Sequence, residues 1–377
     1  MNFGSAEAAM SRAIELAFRG QGRVEPNPMV GAVIVDDSGE LLGEGYHRKY
    51  GGPHAEVFAL EQAGEKARGG TLYVTLEPCS HHGKTPPCAE AVVKAGLKKV
   101  YVGMVDPNPE VSGRGIEKLK EAGVDVHVGI LSEQCQRLTE PFVKLMTHHR
   151  PYVIVKWAMT IDGKIARWNG DSKWISNDQS RARVHQLRSR VDAVMTGVGT
   201  VKNDDPLLNA RLESDERPLR VATRIVVDSR SDIELTSKLV QTAREIPLLV
   251  ATTHAMDASK VTALKAAGVE VLILPANEYR RVDLHALLDE LGRRRMTNIL
   301  VEAGPGLVGG LWDAREIDEV QIFLAPKIIA DDQGYGPVGG PGETPMSEAG
   351  VMDLAAVEPI GNDVWMRYVR VHHEPQS

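Results

Sequence analysis

Residues 53–60 read PHAEVFAL and residues 77–88 read EPCSHHGKTPPC. His54, Cys79 and Cys88 are the residue types that Zn²⁺ selects, imidazole nitrogen and thiolate sulfur. Three such ligands are the number a catalytic zinc keeps while its fourth position takes water. Two thiolates and a neutral imidazole balance the charge of the ion. Glu56, two positions after His54, is the carboxylate available to move the proton of an activated water. The competing reading is a turn-stabilising zinc, or three unrelated side chains. Cys135 falls in a stretch of helical apolar periodicity and reads as a packed thiol. His81 and His82 have polar neighbours and read as solvated loop residues.

These groups can meet only under a geometric condition. Positions i and i+2 of a regular helix point to nearly opposite sides, so His54 and Glu56 converge only if His54 occupies an irregular helix start, which Pro53 favours. Pro86 and Pro87 likewise put Cys88 in the first turn of a helix, where the positive end of the peptide dipoles favours a thiolate. A second candidate is GPGLVGG at residues 304–310, a G-x-G-x-x-G after the apolar run NILVEA. Glycines there let backbone N–H groups approach a phosphate at a helix start. A Rossmann fold is disfavoured, because no acidic residue stands at a strand end about twenty positions on and the motif lies late in the chain.

The elements that must position these groups follow from hydrophobic periodicity. Ser5 caps a first helix ending near Gly20. MVGAVIVDD and LLGEGYH are strands joined by a turn at Ser38-Gly39. A helix from His54 to about Ala67 leads to strand TLYVTLE and a short helix opening at Pro86-Pro87. Strand KKVYVGMV, helix GRGIEKLKEAG, strand VDVHVGI and a helix through QRLTEPFVKLM follow. THHRP, around residues 147–151, marks a junction. Beyond it YVIVKWAM, DAVMTGV, RIVVDS, PLLVAT, VEVLILP and NILVEAG read as strands. RARVHQLRSR and VDLHALLDELGRRR read as helices, and EVQIFLAPKII and VWMRYVRV as antiparallel edge strands. Two α/β domains, residues 1–147 and 148–377, are expected.

Bulk composition agrees. At 377 residues the chain is too long for one ordinary core. An apolar fraction of 42% and a charged fraction of 25% belong to a globular protein that folds in water. A net charge of -7 argues against a dedicated surface for nucleic acid or anionic membrane. Three cysteines cannot form a disulfide framework and suit a reducing compartment. The amino terminus lacks a signal-peptide core and no apolar run reaches membrane-spanning length, so a cytoplasmic protein without a membrane partner is expected.

Zinc-dependent deaminases carry H-x-E followed by P-C-x-x-C, with the glutamate shuttling protons. Here HAE and PC fit, but eight residues rather than two separate the cysteines. That wider spacing, with EPNPMVGAVIVD, GEGYHRKYGGPHAEVFAL, TLYVTLEPCSHHGKTPPC and VGMVDPNPEVSGRGIEKLKEAG, resembles the bifunctional deaminase/reductase family of riboflavin biosynthesis. VKWAMTIDGKIA, GDSKWISN, RSRVDAVMTGVGTVKNDDPLLNAR and NILVEAGPGLVGGLW resemble its reductase half, so nearly the whole chain is covered. The resemblance implies a cytidine-deaminase-like three-layer α/β domain followed by a dihydrofolate-reductase-like domain. It implies Zn²⁺ on His54, Cys79 and Cys88, with Glu56 catalytic, removing the C2 amino group of a diaminopyrimidinone that carries a phosphoribosylamino group. NADPH then reduces the ribosyl chain to ribityl.

By the same resemblance Asn27, His47 and Lys84 hold the deaminase substrate. Ala158, Trp174, Thr200, Asp204, Ser229 and the run Gly304, Pro305, Gly306, Leu307, Val308, Gly309, Gly310 contact NADPH. Ser172, Arg188, Leu208, Arg211 and Glu302 contact the phosphorylated substrate, with Lys156 set near the ribose carbon to be reduced. The arginines offer a fork of donors suited to phosphate. Plainer readings stay open for Lys156 and Arg188 as solvent-facing cations and for Trp174 as a core side chain. They stay open too for the PNP triplets at 26–28 and 107–109 as stiffened turns. A homo-oligomer acting on a small phosphorylated pyrimidine, with no nucleic-acid partner, is expected. The rival is a nucleic-acid-editing zinc deaminase with an appended binding domain. It would want basic, aromatic surfaces, against a net charge of -7 and 5% aromatic residues. A scaffold with a dead site would have lost Glu56 or a ligand, and all four are present.

Overall fold

A computed structural model describes residues 1–80, 87–108, 112–212, 218–342 and 345–371, and the chain divides into two units, Met1–His149 and Arg150–Ser377. In the first, the Ser5 hydroxyl accepts the Ala8 N–H and caps α1 (Ala6–Phe18). The elements β1 (Gly31–Val35), β2 (Leu41–Tyr46), α2 (Ala55–Ala63), β3 (Thr71–Leu76) and α3 (Cys88–Ala95) follow. Then come β4 (Lys99–Met104), α4 (Arg114–Glu121), β5 (Asp125–Val128) and α5 (Ser132–His148).

The five strands pair in the order β2-β1-β3-β4-β5. β1 runs antiparallel to both neighbours, and β3, β4 and β5 run parallel. Strands buried on both faces carry apolar runs: β1 and β3 are buried at every residue. Ala32, Ile34, Leu72, Val74 and Val102 face α2, α3 and α4, while Val33, Val35 and Tyr73 face α1 and Cys135 of α5. Three layers result. This strand order brings the amino end of β1 and the carboxyl ends of β2, β3 and β4 to one end of the sheet.

The helix expected over 54–67 is shorter. α2 ends at Ala63 because Gly64, at φ 55, turns out of the helix, and a 3-10 turn over Gly64–Ala67 completes it. The backbone of α2 rests directly on β2. A Cβ on Gly43 would lie 2.2 Å from the Ala59 carbonyl oxygen, and one on Gly45 would lie 2.4 Å from that of Ala55. Those two glycines set the height of the start of α2 over the sheet.

The second unit begins with β6 (Tyr152–Thr160), α6 (Asp178–Arg188), β7 (Ala193–Gly197), α7 (Val198–Asp204) and β8 (Thr223–Val227). It continues with α8 (Lys238–Gln241), β9 (Leu248–Thr252), α9 (Ala258–Ala266), β10 (Glu270–Ile273) and α10 (Leu284–Arg293). It closes with β11 (Asn298–Val301), α11 (Pro305–Asp313), β12 (Glu319–Ala325), β13 (Met352–Ile360) and β14 (Asp363–Arg370). The sheet order is β10-β9-β8-β7-β11-β6-β12-β14-β13. It is parallel from β10 to β12, after which β14 pairs antiparallel with β12 and β13 with β14. Leu187, Val201, Leu239 and Leu264 cover one face, and Leu287, Leu291, Val308 and Leu311 the other.

Two expectations change here. EVQIFLAPKII and VWMRYVRV are antiparallel to each other, but β12 and β14 are interior strands and the edge is β13. Its sequence, MDLAAVEPI, carries acidic residues, a proline and mostly exposed positions, which protects an edge and weakens the strand pattern. Helix α9 was not anticipated either, since Leu264 is its single buried residue and leaves little periodicity to read. Among the described residues no helix is long and apolar enough to cross a membrane.

Gly45→Ala should cost the first unit about 1–3 kcal/mol through overpacking against α2. A lower urea midpoint by circular dichroism is the expected result. Tryptophan fluorescence should keep its midpoint, because all five tryptophans belong to the second unit.

Candidate active sites

His54 is the N-cap of α2, with extended backbone at φ -77 and ψ 170, and Glu56 sits in the first turn. The irregular start that the HAE spacing demands is therefore present. Cys88 is the first residue of α3, after Pro87. Its Sγ lies 3.3 Å from His54 Nδ1, and that of Cys79 lies 3.6 Å from the same nitrogen. All three donor atoms fall within 4.8 Å of one another. Tetrahedral ligands at ordinary zinc bond lengths place nitrogen and sulfur about 3.6 Å apart, so one ion fits this triangle.

The electrostatics suit a dication. Cys88 is the largest influence on Cys79, donating to its sulfur from both side chain and backbone, the latter at 3.3 Å, and Cys79 is drawn down to about 4. Cys88 is pushed the other way, first by that shared hydrogen bond and then by burial. A divalent cation at this point is what would let both sulfurs ionise. Glu56 is 3% exposed, and its Oε2 has no hydrogen-bond partner among the described residues. Burial raises its carboxyl, which favours a proton-accepting role over a fixed charge.

Beside this triangle, His47 donates from Nδ1 to the Pro53 carbonyl at 2.9 Å and accepts from the Asn27 amide at Nε2, 3.3 Å away. The His47 and His54 rings meet edge to face at 5.4 Å. Asn27, before β1, and His47, after β2, therefore join the His54, Cys79 and Cys88 triangle at the same sheet end. The Asn108 backbone forms a turn: its N–H donates to Asp106 and its carbonyl accepts the Ser112 N–H. Lys84, His81, His82, Pro86 and Pro109 lie outside the described residues.

In the second unit a cleft of about 980 Å³ opens at the carboxyl ends of β6, β7 and β11. Ala158, Trp174, Thr200, Asp204, Gly304, Pro305, Gly306 and Leu307 line it, as do Lys156, Ser172, Arg188, Leu208, Arg211 and Glu302. Gly304 caps α11, Pro305 is its first residue, and a Cβ on Gly306 would enter open space. Backbone N–H groups at this helix start can receive a phosphate. The rest of the glycine run faces elsewhere: Val308 is buried in the core, and a Cβ on Gly309 would lie 1.7 Å from the Gly339 carbonyl oxygen. Gly310 likewise packs beneath Leu284, and none of Val308, Gly309 and Gly310 lines the cleft. Ser229 is absent from the lining too; its hydroxyl accepts the Val282 N–H and closes a loop at the end of β8.

At the cleft floor, Arg188 grips both Glu302 oxygens at 2.6 and 2.9 Å, and Lys156 stands 3.7 Å from the same carboxylate. Neither cation is a solvent-facing side chain. Trp174 is no core residue: it is 64% exposed, with the Arg181 guanidinium 4.7 Å from its ring centre. Arg181 and His185 also line the cleft and were not singled out by sequence. With Arg188 they fall at i, i+4 and i+7 of α6, a spacing that marks one helix face. His185 accepts the Arg211 N–H at Nδ1, 3.2 Å away. Burial, then Arg188 and Arg211, lower the His185 imidazole to about 4 and keep it neutral.

Comparison with known proteins matches both units. Residues 151–366 fit the family model of the RibD C-terminal domain, and residues 4–104 fit the cytidine and deoxycytidylate deaminase zinc-binding region. The riboflavin biosynthesis protein RibD of Actinobacillus pleuropneumoniae is 43% identical over 96% of this chain and 94% of its own. The Escherichia coli protein of that name is 39% identical over 96% and 99%. Acinetobacter baumannii RibD superposes with a TM-score of 0.84 at 37% identity, covering 97% of this chain and 99% of that one. A Thermotoga maritima diaminohydroxyphosphoribosylaminopyrimidine deaminase/5-amino-6-(5-phosphoribosylamino)uracil reductase gives 0.80 at 36%, covering 97% and 98%. The expected fold class stands, a cytidine-deaminase-like unit followed by a reductase unit of dihydrofolate-reductase type. With a His/Cys/Cys centre in one unit and a phosphate-ready cleft in the other, the chain belongs to the RibD family, bifunctional zinc deaminases and reductases of riboflavin biosynthesis.

Proposed function

We propose that Met1–His149 hydrolyses the C2 amine of 2,5-diamino-6-(5-phosphoribosylamino)pyrimidin-4(3H)-one and that Arg150–Ser377 reduces the ribosyl chain of the product to ribityl. The observation that carries this reading is the pairing of a zinc-sized donor triangle with a buried, unpartnered Glu56 oxygen. His54 Nδ1 and the sulfurs of Cys79 and Cys88 hold Zn²⁺, which when bound supplies the Lewis acidity that makes water a nucleophile near neutral pH. Glu56 Oε2 takes the proton of the attacking water and hands it to the departing nitrogen. His47 and Asn27, tied to each other, orient the pyrimidine beside His54. Lys84 completes the set of substrate contacts.

In the second unit the start of α11, with Ala158, Trp174, Thr200 and Asp204, receives NADPH, which supplies the hydride. Val308, Gly309, Gly310 and Ser229 act from behind by shaping strand and helix ends. Arg211, Ser172 and Leu208 hold the phosphoribosyl end, and Arg188 and Lys156, fixed by Glu302, present positive charge to it. The protein is cytoplasmic and acts on small molecules rather than nucleic acid, a reading the net charge of -7 supports. Self-association belongs to the same reading, supported by the exposed apolar side chains of Val351, Leu354 and Val357.

Glu56→Gln should lower ammonia release by about 10²–10⁴-fold, the usual worth of a positioned proton carrier. NADPH oxidation with the deaminated substrate should be unchanged, and retained deamination would remove Glu56 from its role. Gly306→Ala should raise the KM for NADPH while leaving the urea midpoint unchanged, since its Cβ meets no protein atom.

Glu302 supplies a pH prediction. Burial opposes its charge, but Arg188 and Lys156 hold the carboxyl down to about 2, against about 4.3 in an unfolded chain. A depressed native pKa stabilises fully above the unfolded value and loses that contribution as pH falls towards 2. Glu302→Gln, which strands two buried cations, should cost about 3–5 kcal/mol at pH 7. Urea titrations followed by tryptophan fluorescence should show that gap narrowing below about pH 4.

A further inference from the structure

Two residues before Cys79, the Glu77 carboxylate is 4% exposed and is satisfied by backbone alone. Its Oε2 accepts the N–H groups of Asp106 at 3.1 Å and Gly113 at 3.0 Å. Its Oε1 accepts those of Gly115 at 2.8 Å and Ile116 at 3.2 Å. Gly115 and Ile116 belong to the first turn of α4, so the carboxylate caps that helix from outside it. The Glu77 N–H donates to the Met104 carbonyl at 2.9 Å, continuing the β3–β4 ladder by one bond. One side chain thereby ties three segments together: the end of β3, the loop after β4 and the start of α4.

Cys79 hangs between two supports. On one side α3 holds it, through the Ala89 N–H on its carbonyl at 3.2 Å and the Cys88 N–H on its sulfur at 3.3 Å. On the other, Pro78 presses its carbonyl against α4, where a Cβ on Gly115 would lie only 2.0 Å from that oxygen. The N–H groups of Gly113, Gly115 and Ile116, all on the Glu77 carboxylate, join this second support to the end of β3. We propose that Glu77 is a positioning residue for the zinc centre, fixing the Cys79 sulfur relative to His54 and Cys88 by clamping the β3 end onto α4. The proposal rests on the zinc reading of those three residues. An amide cannot replace the carboxylate, because one of its two atoms would present N–H groups to backbone N–H groups. Outer partners of metal ligands typically influence affinity by about 10–100-fold.

The test is Glu77→Gln in the full-length chain. Zinc loss to a chelator should be about 10–100-fold faster than from the parent, the visible bands of the Co²⁺-substituted protein should shift, and hydride transfer in the second unit should be unchanged. A variant that melts earlier yet keeps the parent's Co²⁺ spectrum and zinc-release rate would overturn the proposal and leave Glu77 as a stabilising residue only. A parent that holds no stoichiometric zinc would overturn the zinc reading, and this inference with it. Should the variant not fold, the parent itself decides. Coupling is reciprocal, so zinc must slow amide exchange at Asp106 and Gly113–Ile116 more than along α1, and equal slowing would refute the clamp.

Discussion

A buried sulfur beside a buried carboxylate and a second sulfur is electrostatically untenable unless something offsets its charge, and the first unit is arranged around that constraint. Cys79 receives the Cys88 backbone N–H at 3.3 Å, a free donor at the start of α3. His54 Nδ1 lies 3.6 Å from the Cys79 sulfur and 3.3 Å from that of Cys88. Donors from two helix starts and one strand end thus converge on a point where a dication completes the balance. Glu56, enclosed with one oxygen unpartnered, has its charged form disfavoured by burial, which is the condition for a group that must accept and release a proton.

The same economy of position governs the second unit. Parallel strands end together, so Lys156 on β6, Thr200 after β7 and Glu302 after β11 arrive at one cleft without long loops. Glu302 is held charged between Arg188 and Lys156, and the pair of cations keeps one face of the cleft positive. Arg181, His185 and Arg188 extend that face along α6. The imidazole stays neutral there because burial and two guanidiniums oppose its protonation.

Legibility varied with how local the signal was. HAE, PC and the proline pair before Cys88 carried local geometry, and His54 at a helix N-cap and Cys88 at a first helical position follow from it. GPGLVGG was half legible. Its spacing announces a helix start open to a phosphate at Gly304 and Gly306, whereas Gly309 is glycine because the Gly339 backbone crosses it. Strand β13 was missed because an edge strand carries charges and a proline where a buried strand carries apolar residues. Ser229 is engaged by a partner no local rule supplies: its hydroxyl accepts the N–H of Val282, which lies just before α10.

By itself the sequence determined the residue types, the periods that make strands and helices, and the chemistry that three zinc-type ligands and a glutamate can do. These are properties of neighbours a few positions apart, where sterics and hydrogen bonding act along the chain. Tertiary structure decided which residues face one another. Glu77 meets the N–H groups of Gly113 and Gly115, and Glu302 meets Arg188, across separations that no local rule spans. Such pairings depend on strand order and register, which fix the distances between side chains far apart in the chain.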